Sequence, residues 1–240
     1  MYFKHKSYDV IVNGSVFRGG DRSDHAVSSK GEIRLVTVHD EYRPSKRIHD
    51  VVEFVRWARE RKDMPFSLTI VGYTGRLAAC TPVHIKKIIE TAPFITTFPG
   101  FKSLDEVRSA FFDSHIYITF TYRDSCPNTV IEAMAHGLPV IGIASGGVPD
   151  IVGDAGILLP LDDFADGFFS PHRYECDFPS IDFEEVLRAV LTISGNLQDF
   201  RTKVRRRFET ELEIGIVAGR YLSAIRSLLH DSPKRTLIRD

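Results

Sequence analysis

Apolar residues follow two different periods along most of this 240-residue chain. Stretches rich in apolar residues at 33–38 and 66–71 predict buried strands, because a parallel strand covered on both faces is mostly apolar. Apolar residues at spacings of three and four, as in 48–62, predict helices. The same patterns predict further strands at 94–98, 115–121, 139–143 and 157–160, and further helices at 82–91, 104–113, 127–137, 182–194, 197–209 and 213–230.

This alternation of strands and helices predicts an α/β fold, a single Rossmann-like, doubly wound parallel sheet followed by a C-terminal helical segment. In such sheets, ligands bind at the carboxyl ends of the strands, near the point where the strand order reverses. We therefore expect the functional residues in the loops that leave those ends, which are 39–47, 72–76, 98–102, 122–128 and 144–149.

The stretch 124–140 contains the clearest signals for a loop, a helix and the next strand. Ser125 and Asn128 are residue types that cap helices, Pro127 suits a first turn, and Gly137 suits the position just past a helix end. The start of a helix offers unpaired backbone N–H groups and a partial positive charge. The stretch therefore predicts a place where a phosphate group can bind.

Two carboxylates, Asp124 and Glu132, accompany this helix start. Asn128, Glu132 and His136 are spaced by four residues and share one helix face, whereas the apolar residues of the helix are predicted to pack on the sheet. A carboxylate at this position can accept hydrogen bonds from a vicinal diol such as a ribose. The simpler interpretation, that Glu132 is a surface acid stabilised near a helix start, stays open at this point.

A second glycine-containing loop follows the strand at 139–143. Gly146 and Gly147 allow backbone N–H groups to approach an anion closely, and Pro149 begins a short helix. A Gly-Gly turn is a weak signal alone, but this one lies one strand away from the helix that begins near Pro127.

Composition narrows the function classes. The formal net charge of −1 gives no overall attraction to nucleic acid or to anionic membrane. Three widely spaced cysteines argue against a disulfide framework or a zinc site, so we expect a cytoplasmic protein. No apolar run approaches the roughly 20 residues of a transmembrane helix. The basic cluster 203–207 is most simply a solvated helix face, with peripheral contact at the inner face of the membrane as the alternative.

Together these segments resemble the retaining glycosyltransferases of family 4, which have the GT-B fold. Residues 124–132 resemble the Glu-x7-Glu signature of that family, and residues 145–150 resemble its Gly-Gly-x-Pro-Glu segment. Lys46 stands where the family has a phosphate-binding lysine, and 13–14 resembles its Asn-Gly turn in the interdomain linker. The resemblance covers residues 9–230.

The resemblance implies a site for a nucleotide diphosphate sugar. Glu132 would bind the ribose hydroxyls and Asp124 the sugar hydroxyls, and Lys46 would neutralise the leaving diphosphate, with Arg43 or Arg47 beside it. The three candidates for catalysis are thus Asp124, Lys46 and Glu132. The family needs no metal cofactor. The remaining candidates for substrate binding are loop residues and the start of the helix: Gly72, Phe101, Cys126, Pro127, Asn128, Thr129, Gly146 and Gly147.

The chain departs from the family pattern at three points. Asp124 is one methylene shorter than the usual Glu, and Glu41 stands in place of the usual arginine. A GT-B enzyme also has two Rossmann-like domains, and the pattern here matches the donor domain. The resemblance therefore implies an interdomain linker or remnant of the N-terminal domain at 1–31, a nucleotide-sugar-binding domain at 32–231 and a tail at 232–240.

The expected function is transfer of a sugar, with retention of configuration, to a glycan or lipid-linked acceptor, as in polysaccharide or lipopolysaccharide synthesis. The acceptor domain would come from a partner chain or from the rest of a longer enzyme. One alternative is a non-catalytic nucleotide-sugar-binding subunit or a truncated, inactive transferase. A weaker alternative is another α/β enzyme, such as a sugar-nucleotide epimerase.

Overall fold

The computed structural model of the chain describes residues 11–16, 31–39, 43–73, 81–98, 104–161 and 178–230. The candidate Phe101 and most of the aromatic segment after Leu161 lie outside the described residues. Within the described part, none of the helices combines the length and the apolar character that a membrane crossing requires.

The strands of the described residues form a six-stranded parallel sheet with the order β3-β2-β1-β4-β5-β6. The order reverses between β1 and β4, so that pair is the topological switch point. This arrangement confirms the predicted α/β fold. The strands are β1 (Ile33–Val38), β2 (Phe66–Val71), β3 (Ile95–Phe98), β4 (Ile116–Ile118), β5 (Val140–Ile143) and β6 (Gly156–Leu159).

Helices cover both faces of this sheet. Side chains alternate across β1, so Leu35 joins the core under one helical layer and Val36 joins the core under the other. The helices are α1 (Ile48–Lys62), α2 (Val83–Thr91), α3 (Leu104–Phe112), α4 (Asn128–Ala135), α5 (Val148–Val152), α6 (Phe183–Gly195), α7 (Leu197–Arg207) and α8 (Ile214–His230). The first layer contains α1, α2 and α6, and the second contains α3, α4 and α5.

A predicted strand and a predicted helix are shorter in the structure than in the sequence pattern. The strand expected at 115–121 is limited to Ile116–Ile118. Thr119 N still donates to Ile141 O at 2.9 Å, but Thr121 N donates to the Thr119 hydroxyl at 3.3 Å. The helix expected at 197–209 ends at Arg207, and a π-helical turn, Phe208–Leu212, leads into α8.

The prediction that Ser125 and Asn128 cap α4 is wrong. The N-cap is Pro127, with no side-chain cap, and Asn128 is the first helical residue. The Asn128 Oδ1 instead accepts a hydrogen bond from the distant Asn13 Nδ2 at 2.8 Å, so it is engaged outside the helix. The predicted end is confirmed: Gly137 has a φ of 74° just past the helix, where its N donates to a carbonyl of the last turn.

Candidate functional site

The candidate site begins with an ion pair between two loops that diverge at the switch point. Lys46 lies in a 3₁₀ turn after β1, and its Nζ is 2.6 Å from Oδ2 of Asp124, which lies in the loop after β4. Asp124 Oδ1 accepts a hydrogen bond from Cys126 N at 3.1 Å, and Tyr122 N donates to Ser45 O at 2.8 Å. Both partners of the ion pair remain partly exposed, so the pair is accessible to a ligand.

The Gly-Gly loop after β5 packs closely against the backbone of the loop that contains Asp124. Gly147 N donates to Asp124 O at 2.8 Å. A Cβ at Gly146 would lie 2.1 Å from Asp124 O, and one at Gly147 would lie 2.0 Å from Ser125 O. Since neither distance is compatible with a side chain, both positions require glycine, and three loops thus meet at one edge of the sheet.

The start of α4 continues the site. Thr129 Oγ1 accepts a hydrogen bond from the buried Tyr117 hydroxyl at 2.9 Å. Burial raises the pKa of Tyr117 far above its ordinary value, and the nearby charge of Glu132 acts in the same direction. The Tyr117 hydroxyl therefore stays protonated and donates to Thr129 at neutral pH. Pro127 is buried, whereas Asn128 is exposed and Glu132 is half-buried.

A cavity of about 710 Å³ adjoins this helix start. Its polar lining includes Asn13, Asn128 and Glu132, and its apolar lining comes mainly from α8. Glu132 therefore faces a space large enough for part of a ligand.

The three cations near 46 occupy different environments. Arg47 is 3% exposed, its Nε donates to Asp50 Oδ2 at 2.7 Å, and its guanidinium lies 5.6 Å from the Phe178 ring. Burial acts to raise the pKa of Asp50, but hydrogen bonds from His49 and Arg47 outweigh it and lower that pKa. Arg43 is exposed, and its carbonyl accepts a hydrogen bond from Lys46 N at 2.9 Å. The geometry gives Arg47 a structural contact with Asp50 and places Lys46 at the junction of the loops.

The edge loops near β1 and β2 contribute two further groups. Gly72 has a φ of 88°, and its N donates to Phe98 O at 3.0 Å. His39 is buried at the end of β1, and its Nε2 is 2.9 Å from Thr37 Oγ1. Sequence analysis included His39 in the loop 39–47 but did not name it as a candidate, although its position directly after a predicted strand was a usable signal.

The structure brings five of the predicted site residues together at the loop junction, and four more follow at the start of α4. The first group is Lys46, Asp124, Cys126, Gly146 and Gly147, and the second is Pro127, Asn128, Thr129 and Glu132. Gly72 lies at the same edge, at the end of β2. The hydroxyl of Ser145, which accepts a hydrogen bond from Arg123 N at 2.9 Å, was not among the predicted groups. Among the described residues, no group of three or more His, Cys, Asp or Glu side chains is placed to hold a metal ion.

Comparison with known proteins places this geometry in a family. The sequence profile described as glycosyl transferases group 1 matches residues 33–170, which is more than half of the chain. The chain belongs to this family. A curated relative, the N-acetyl-alpha-D-glucosaminyl L-malate synthase of Bacillus anthracis, is 27% identical over 135 residues, which are 55% of this chain and 34% of the relative.

Solved glycosyltransferase structures share the fold of this group 1 chain. The pneumococcal O-GlcNAc transferase GtfA, solved with UDP and GlcNAc, matches with a TM-score of 0.63 at 18% identity over 96% of this chain and 42% of that chain. Sucrose-phosphate synthase from Thermosynechococcus elongatus matches with a TM-score of 0.63 at 18% identity over 93% of this chain and 53% of that chain. These likenesses show the α/β fold of GT-B glycosyltransferases. The chain spans about a third to a half of the length of these proteins.

Proposed function

We propose that this chain is the donor domain of a retaining glycosyltransferase. It binds a nucleotide diphosphate sugar where the three loops meet and transfers the sugar to a glycan or lipid-linked acceptor. The observation that carries the proposal is the ion pair between Lys46 and Asp124, at the switch point and beside the start of α4.

The ion pair supplies the positive and the negative group that binding of a nucleotide diphosphate sugar requires. Lys46 and the N-terminus of α4 place positive charge at one edge, where a diphosphate binds and where the leaving group gains negative charge during transfer. The diphosphate takes the place of Asp124 at Lys46 Nζ. The freed carboxylate of Asp124 then accepts hydrogen bonds from the sugar hydroxyls, with Cys126 N still holding its other oxygen.

The remaining contacts follow from the edge geometry. Glu132, which faces the cavity, accepts hydrogen bonds from the ribose hydroxyls. Gly146 and Gly147, which hold the Asp124 loop in place, border the sugar and diphosphate, and Gly72 lies beside the base. In this proposal the reaction uses no metal ion, because Lys46 and the helix start supply the positive charge.

An acceptor domain completes the enzyme, either within a longer chain or as a partner chain. Residues 1–31 then form the linker or a remnant of the N-terminal domain, and 32–231 form the donor domain. The limited share of each relative that this chain covers supports this division. A second candidate is a nucleotide-sugar-binding subunit without transfer activity. The shorter side chain of Asp124 favours it, because Asp124 reaches less far toward a sugar than a glutamate.

Calorimetric titration with UDP-, GDP- and ADP-sugars tests the proposal. We expect the wild-type chain to bind at least one of them, and Glu132→Gln to weaken that binding by about 1–3 kcal/mol, the scale of a lost charged hydrogen bond. Glu90→Gln is the matched control, because Glu90 is an exposed helical glutamate on α2, outside the site. Absence of binding to every sugar nucleotide refutes the proposal.

Transfer assays address the acceptor domain. We expect negligible sugar transfer by the 240-residue chain alone, measured with a radiolabelled donor that the chain binds. Efficient transfer by the purified chain contradicts the need for an additional acceptor domain. Tight donor binding without transfer in any combination of chains favours the non-catalytic subunit.

A further inference from the structure

The segment 11–16 connects the end of the domain with the start of α4. Ser15 N donates to Leu212 O at 2.9 Å, and Ile214 N donates to Ser15 O at 3.0 Å, so the segment is bridged to the backbone where α8 begins. A Cβ at Gly14 would lie 2.9 Å from Val217 Cγ2, which shows how closely the segment packs on that helix. Asn13 is therefore held on a fixed piece of backbone.

From this position Asn13 contacts two predicted substrate-binding residues. Its backbone N donates to Cys126 Sγ at 3.4 Å, and its side-chain Nδ2 donates to Asn128 Oδ1 at 2.8 Å. These two residues flank Pro127, the N-cap of α4. One residue of the segment thus holds both sides of the helix start.

The direction of the second hydrogen bond has a chemical consequence. An amide has an acceptor end and a donor end, and Asn13 occupies the acceptor end of Asn128. The Nδ2 group of Asn128 is then directed to a different partner. At a helix start that receives a diphosphate or sugar hydroxyls, an amide N–H₂ is the favourable end to present.

We infer that Asn13 is a positioning residue of the donor site: it orients the Asn128 amide so that its N–H₂ group faces the ligand, and it holds the Cys126 loop. This inference rests on the proposed function for its ligand. Asn13 acts through Asn128 and Cys126, and it links their geometry to the backbone at the start of α8.

A double-mutant cycle measures this action. We expect Asn13→Ala to weaken binding of the preferred nucleotide sugar about three- to tenfold, on the scale of one hydrogen bond. Asn13→Ala removes the side-chain bond to Asn128 and retains the backbone N–H that bonds to Cys126. The double variant Asn13→Ala/Asn128→Ala therefore binds no more weakly than Asn128→Ala alone. Val16→Ala, an exposed position in the same segment, is the matched control and leaves the affinity unchanged. Thermal melting of each variant checks that the fold is retained.

A second measurement needs no ligand. In a background with Cys80 and Cys176 replaced by Ser, the alkylation rate of the Cys126 thiol reports on its contact with the segment. Cys126 is a free, partly buried thiol, and its partner in the segment is the backbone N–H of Asn13, which proline lacks. We therefore expect Asn13→Pro to raise its alkylation rate several-fold and Val16→Ala to leave it unchanged.

The two measurements separate the inference from the proposed function. The inference is overturned if the wild-type chain binds a nucleotide sugar but the losses in the cycle are additive, or if Asn13→Ala binds with unchanged affinity. The proposed function stands in both cases. An unchanged alkylation rate in Asn13→Pro likewise overturns the claim that Asn13 holds the Cys126 loop. A wild-type chain that binds no sugar nucleotide refutes the proposed function and, with it, the ligand-directed role of Asn13. An increased alkylation rate then supports only the contact with Cys126.

Discussion

Replacing Gly147 by Ala tests how the Gly-Gly loop fits against the Asp124 loop. The added Cβ would lie 2.0 Å from Ser125 O and 2.9 Å from Ser125 C, both of which are backbone atoms. Reaching even 3.0 Å requires a shift of 1.0 Å between the two loops. That shift pulls Gly147 N away from Asp124 O and thereby displaces the acidic partner of Lys46.

The expected loss of stability follows from these contacts. Forcing a methyl group into a closely packed site costs about 1–3 kcal/mol, and loss of the Gly147–Asp124 hydrogen bond adds about 1 kcal/mol. We therefore expect Gly147→Ala to lower the free energy of unfolding by about 2–4 kcal/mol. Because the shift also displaces Asp124 beside Lys46, donor affinity falls by about tenfold, the scale of one lost charged hydrogen bond.

Urea unfolding and donor titration measure the two effects on the same samples. Gly146→Ala combines a similar contact, 2.1 Å to Asp124 O, with a φ of 60°, so it costs about 1–2 kcal/mol more than Gly147→Ala. Gly31→Ala is the matched control for the positive φ of Gly146, because Gly31 has a φ of 71° but no atom within 4 Å of the added Cβ. It isolates the cost of the backbone conformation.

One result for Gly147→Ala contradicts the expected steric clash. If Gly147→Ala unfolds within about 0.5 kcal/mol of the wild type and retains its donor affinity, the two loops are not held in the described register. A loss in Gly146→Ala equal to that of Gly31→Ala contradicts the steric account at position 146 in the same way.

Two further predictions concern stability. The raised pKa of Tyr117 means that the folded chain keeps this proton while the unfolded chain loses it near pH 10. Stability therefore falls as the pH rises above about 10, and Tyr117→Phe reduces that fall in urea unfolding at pH 8 and pH 10.5; an unchanged slope contradicts the assignment. Asp182 caps α6 by accepting hydrogen bonds from Glu184 N and Glu185 N. Asp182→Ala lowers the free energy of unfolding by about 1 kcal/mol, whereas Asp182→Ser, which retains a capping oxygen, loses less; equal losses argue against the cap.

The sheet and its helices could be predicted largely from local patterns. The strands at 33–38 and 66–71 and the helix at 48–62 have the predicted bounds, because apolar-rich stretches and helical spacing are properties of neighbouring residues. The meeting of the loops was also predictable, since the loops that follow parallel strands lie at the same edge of the sheet.

The error at Asn128 has a different origin. Asn128 was predicted as a cap, but its side-chain oxygen bonds to Asn13, which lies 115 positions earlier in the chain. Arg47 bonds to Asp50, three residues away, and packs against Phe178, a residue far along the chain. No local pattern encodes the contacts with Asn13 and Phe178, because each depends on how distant segments meet in the folded chain.

The pairing of β1 with β4 has a consequence for folding kinetics. Strands β1 to β3 form one half of the sheet and β4 to β6 the other, and the halves join through Leu35–Ile116 and Val36–Tyr117. Closing such a long loop is entropically costly, so this pairing is expected late in folding. Lys46 belongs to the first half and Asp124 to the second. During refolding, helical signal therefore recovers before donor binding, and the bound nucleotide sugar reports the moment at which the two halves of the sheet have joined.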